Sequence, residues 1–135
     1  MKKFILLTTL LLPFILFSQT QQGADIDGEA AGDFSGYSVS LSSDGTIVAI
    51  GATGNDASGS NSGHVRVYEY SSSSWSQLGA DIDGEAAGDY SGTSISLSSD
   101  GTKVAIGANG NDGNGASSGH VRVYEYSSSS WSQLG

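Results

Sequence analysis

The chain has 135 residues, five lysines and arginines against fourteen acids, and no cysteine. A net charge of −9 repels nucleic acid and anionic membrane surfaces, both of which are bound through clustered Lys or Arg. Without cysteine there are no disulfides, so stability has to come from packing, a metal or further repeats.

In chain order, Lys2 and Lys3 precede an apolar run from Phe4 to Phe17, broken by Thr8, Thr9 and Pro13, and the small residue Ser18 follows. This is the three-part pattern of a secretory signal peptide. Its run of about 14 residues is shorter than the roughly 20 that a spanning helix needs. Residues 1–18 are therefore expected to be cleaved, leaving a secreted or cell-surface protein with no transmembrane segment; an uncleaved anchor is the alternative. The remaining 117 residues (135 − 18) keep all fourteen acids but only Arg66, Lys103 and Arg122, a net charge of 3 − 14 = −11.

After a short lead-in at 19–22, Gly23–Leu78 aligns without a gap on Gly79–Leu134, a period of 56 residues with 47 identical positions. The differences are Phe34/Tyr90, Tyr37/Thr93, Val39/Ile95, Ile47/Lys103, Thr53/Asn109, Ala57/Gly113, Ser58/Asn114, Ser60/Ala116 and Asn61/Ser117. Gly135 repeats Gly23 and Gly79 and opens a third copy. Such self-similarity marks an array whose units bury their faces against one another. Two repeats alone leave apolar faces open, so further repeats or self-association are expected to cover them.

Within a repeat, Ser38–Ser42 alternates with period two, and Asp44-Gly45 is a hairpin signal. Thr46–Ala52 reads as a buried strand. Ile47 becomes Lys103 while Val48 and Ile50 persist as Val104 and Ile106, which predicts a core face at Val48/Ile50 and an edge or solvent position at 47. Thr53–Ser62 is a Gly/Asn/Ser-rich loop. His64–Tyr70 is a third strand with Val65 and Val67 on one face and aromatics on the other. Ser71–Ser74 turns into a fourth strand at Trp75–Leu78. Four short strands per repeat without helical periodicity predict an all-β fold of two four-stranded antiparallel propeller-type blades, a fragment of a larger β-propeller.

Asp33-Phe34-Ser35-Gly36-Tyr37-Ser38-Val39, then Val48-Ala49-Ile50-Gly51-Ala52, then Gly63-His64-Val65-Arg66-Val67-Tyr68 resembles the FG-GAP repeat, the blade type of the integrin α-subunit propeller and of bacterial surface proteins. The resemblance covers both repeats and implies a β-propeller that binds an extracellular protein or glycan. It does not extend to the calcium loop of the family. Only Ser42-Ser43-Asp44-Gly45-Thr46 stands in that place, too short and too poor in carboxylate. WD-repeat blades share the hairpin, but their Trp-Asp signature is missing.

The most acidic cluster is Asp25, Asp27, Glu29 and Asp33, repeated as Asp81, Asp83, Glu85 and Asp89. Alternate carboxylates around a Gly suit a hard cation such as Ca²⁺, and a solvated inter-blade turn explains the same residues. Asn55-Asp56 and Asn111-Asp112 offer oxygens on a second loop but are ordinary turn residues. His64 and His120, each the lone imidazole of its repeat, read as structural. Trp75, Trp131, Tyr68, Tyr70, Tyr124 and Tyr126 are placed between blades rather than on sugars. Serines are too common here for their presence to support a hydrolytic triad, and no helix follows Gly51-Ala52-Thr53-Gly54 to make a phosphate cradle. Every candidate polar group occurs twice at equal spacing, whereas a catalytic site joins unlike groups at one point. The expected function is therefore a non-catalytic binding or adhesion module without enzyme activity. A structural spacer, or part of a catalytic propeller with its active residues in other blades, are the alternatives.

Overall fold

A computed structural model describes residues 19–135; the expected signal peptide lies outside the described residues. The strands are β1 (Ser35–Leu41), β2 (Ile47–Ala52), β3 (His64–Ser71), β4 (Ser74–Gln77), β5 (Ile82–Asp83), β6 (Ser91–Leu97), β7 (Lys103–Ala108), β8 (His120–Ser127) and β9 (Ser130–Gln133). They form two antiparallel meanders, β1-β2-β3-β4 and β6-β7-β8-β9, one per repeat. The chain is all-β, with two propeller-type blades. Among the described residues no helix is long and apolar enough to cross a membrane.

Local chemistry fixes the turns. Asp44 Oδ1 accepts from the Thr46 amide (3.0 Å) and the Ser42 hydroxyl (2.7 Å), and Gly45 sits at φ 72°. Ser72 and Ser73 have φ 50° and 66° between the paired Ser71 and Ser74, as a two-residue hairpin requires to match strand twist. β5 was not foreseen. The Asp81–Asp83 stretch, expected as part of a turn or metal loop, pairs His64 with Asp83 and Val65 with Ile82 along the edge of β3.

The core lies between the blades. Ala49, Val65 and Val67 of the first blade meet Val104, Ile106 and Tyr124 of the second, with Ile82 among them. Val48, Ile50 and Tyr68 fill the opposite face of the first blade under Ile26 and Trp75. The core face expected at Val48/Ile50 is thus present, but β2 is buried on both faces. This corrects the placing of Ile47, which packs on the junction core and leaves no room for a side chain at Gly101. Its counterpart Lys103 is exposed, and the Lys103 ammonium pairs with Glu125 at 2.8 Å.

The two ends of the stack show the same surfaces uncovered. Val65 and Val67 are 0% and 1% exposed, whereas their counterparts Val121 and Val123 are 67% and 37% exposed. On the opposite end Val39 and Leu41 are exposed, while Ile95 and Leu97 pack on the junction core.

Val65→Asp is expected to cost about 3–5 kcal/mol, the penalty of an unpaired buried charge. Val121→Asp should change the melt by no more than about 0.5 kcal/mol, since its side chain is 67% exposed. Equal destabilisation by the two variants would contradict this stacking.

Hydrogen bonds from Ser98 and from Thr102 hold the Asp100 carboxyl at about 2, below its ordinary 3.8. A depressed folded-state value contributes stability above the ordinary value that is lost as pH falls through the folded one. Melting temperature should therefore drop between pH about 4 and about 2, and Asp100→Asn should flatten that part of the profile.

Candidate functional site

The structure spreads the acids of each repeat over different tasks. Asp33 is buried, and its Oδ2 accepts from the Ala30 amide at 3.2 Å and the Asn55 side-chain amide at 3.1 Å. Asp89 does the same with Ala86 and Asn111, at 3.1 and 3.0 Å. Asp25 and Asp81 each accept from a glutamine four residues earlier. Asp27 and Asp83 contribute backbone carbonyls to Arg66 and Arg122. Asn55 and Asp56 cap loop amides at Ala57 and Asn61, as do Asn111 and Asp112 at Gly113 and Ser117. The four acids of one repeat do not converge among the described residues. The group that does converge crosses the repeat boundary: Glu29, His64 and Asp81 bring their ligand atoms within 4.8 Å of one another.

The aromatics divide into two sets. Trp75 and Trp131 pack at 5.1 Å on Tyr70 and Tyr126. Their indole N–H groups donate to the carbonyls of Gln22 and Leu78, at 3.0 and 2.7 Å, which ties each blade to the segment preceding it. Tyr68 and Tyr124 lie beneath the guanidinium groups of Arg66 and Arg122. Burial pushes both phenols above their ordinary value, with the neighbouring arginine opposing it.

The second set is outside. Phe34, Tyr37 and Tyr90 are 67%, 61% and 42% exposed. Phe34 and Tyr90 adopt φ 54°, a left-handed conformation that a bulky residue holds only when its surroundings impose it. Here the buried Asp33 and Asp89 anchors precede them, and a bulge follows in which pairing skips from Ser35 to Ser38. Together with Thr53, Gly54, Asn61, Thr93 and Asn109, these rings line a groove of about 360 Å³ between the blades. It is large enough for a small ligand.

Sequence reasoning missed this groove, although its signal was present. Seven of the eight lining residues, all but Gly54, are positions at which the two repeats differ. The differences at 53 and 61 read as ordinary loop drift, and nothing in the one-dimensional pattern brings 34 and 37 to the same place.

If Asp33 serves the backbone, Asp33→Ala leaves two donors unpaired and should cost about 1–3 kcal/mol in urea melts. The loss should be the same with Ca²⁺ or with chelator. A loss seen only in Ca²⁺ would make Asp33 a metal ligand instead.

A family model described as an FG-GAP repeat matches residues 19–68 and 80–124. No curated protein matches the chain.

Proposed function

The chain belongs to the FG-GAP repeat family, and from that premise we propose that it is an exported, non-catalytic binding module that takes a neutral extracellular ligand in the groove between its blades. Repeats of this family are typical of extracellular or surface proteins and form β-propeller-type modules. The single observation that carries the reading is where the two repeats differ. In a chain with 47 of 56 repeat positions identical, seven residues at differing positions line one groove. Two identical blades would present the same wall twice. Here Phe34 and Tyr37 face Tyr90, Thr93 and Asn109, so the walls are unlike.

The lining is three aromatic rings, threonines, asparagines and backbone, with no carboxylate, imidazole or cation. Rings offer flat apolar faces, and amides and hydroxyls offer paired donors and acceptors, a set that matches a neutral sugar ring. The absence of an acid–base pair in that lining is the reason for a binding rather than a catalytic reading. The acidic remainder of the surface disfavours anionic ligands.

An array of neutral and acidic oligosaccharides probed with the chain tests this. Neutral glycans should be retained and sialylated or uronic-acid glycans should not. Phe34→Ala and Tyr37→Ala should each weaken retention at least tenfold without changing the melting temperature, since both rings are exposed. Failure to retain any glycan would remove the sugar reading and favour a neutral peptide segment as ligand.

A further inference from the structure

We propose that Glu29, His64 and Asp81 form a first-row divalent metal site, Zn²⁺ by its chemistry, which clasps the first blade to the segment leading into the second. His64 is 1% exposed, and neither of its ring nitrogens has a hydrogen-bond partner. A buried imidazole left in that state is costly. Its Nδ1 lies 3.8 Å from Glu29 Oε2 and 3.8 Å from Asp81 Oδ2. That is too far for hydrogen bonds, yet close to the roughly 3.3–3.6 Å that separates two tetrahedral ligands each about 2.0–2.2 Å from one ion.

The outer oxygens of both carboxylates are already engaged. Gln77 donates to Asp81 Oδ1 at 2.6 Å. Arg66 Nη1 lies 3.8 Å from Glu29 Oε1, while its Nη2 is fixed on the Asp27 carbonyl at 2.7 Å. Each acid therefore turns one oxygen to the imidazole, the kind of outer support that orients metal ligands. Glu29 and Asp81 are 45% and 30% exposed on their side chains, which leaves an entry path and room for water as a fourth ligand. One nitrogen and two carboxylate oxygens suit Zn²⁺, whereas Ca²⁺ and Mg²⁺ are held by oxygen alone.

The three ligands come from the segment of the first repeat before β1, from β3, and from the residue before β5. Binding therefore adds a bond across the repeat boundary. The second repeat supplies an internal comparison. His120 Nδ1 lies 3.6 Å from Glu85 Oε2, and among the described residues no third ligand joins them. His120 is also more exposed, at 24% on its side chain.

The experiment is a calorimetric Zn²⁺ titration of the chelator-stripped chain carrying His120→Gln, which isolates the junction site, followed by thermal melts. One Zn²⁺ per chain should bind, with a higher melting temperature at saturation, and affinity should hold or rise from pH 7 to pH 8, because the ligands bind in their deprotonated forms. His64→Gln should abolish binding, and Asp81→Asn, at a part-exposed position, should weaken it at least tenfold. Ca²⁺ should raise the melting temperature no more than NaCl at equal ionic strength. Absence of Zn²⁺ binding at either pH would overturn the proposal. Undiminished binding by Asp81→Asn would overturn it equally.

Discussion

The fold depends on one contact, the face of Ala49, Val65 and Val67 laid against Val104, Ile106 and Tyr124. A four-stranded meander has two faces and no interior, so a single blade cannot take its valines out of water. Burying each such side chain contributes about 1.5–3 kcal/mol, and the first blade obtains this only because the second lies on it. The contact is close enough to involve backbone. A Cβ at Gly92 would lie 3.0 Å from Gly51 Cα and 2.8 Å from the His64 carbonyl. The Ser91 amide donates to the Ser62 carbonyl at 2.9 Å, and the Gly84 amide to Gly63 at 2.7 Å. Glycine at 51, 63 and 92 is therefore a packing requirement of the junction.

The same contact creates both features with binding chemistry. Bringing the bulge after Phe34 beside the one after Tyr90 turns two exposed aromatic corners into a groove with unlike walls. Pairing β5 on the edge of β3 carries Asp81 to His64, which already faces Glu29 of its own repeat. Neither arrangement exists within one repeat. An array of near-identical units thus brings unlike groups together at the seam, where residues of different repeats meet.

Strand positions were legible where side-chain chemistry alone determines them. The Asp44-Gly45 turn, the alternation at Val65/Val67 and the aromatic face of β3 all appear as expected, since hairpin geometry and period-two patterning are local. Ile47 was not legible. Its replacement by Lys103 looked like a sign of solvent exposure, but the two positions differ in what covers them and not in the strand itself. In the Asp-rich stretch too, burial depends on distant partners. Its spacing resembles a ligand loop, yet Asp33 and Asp89 are drawn inward by amides 22 residues away. His64, read as structural from its isolation in sequence, lies 3.8 Å from Glu29 of its own repeat and 3.8 Å from Asp81 of the next.

The sequence by itself determined the all-β class, the 56-residue unit, the family and the acidic surface, because these follow from composition, periodicity and motifs carried inside each repeat. Only the tertiary structure decided that β2 is buried on both faces, which acids meet an imidazole and which aromatics share a groove. Those facts depend on how one blade is set against the next, and two copies of nearly the same sequence carry nearly the same local signals whether or not a neighbour covers them.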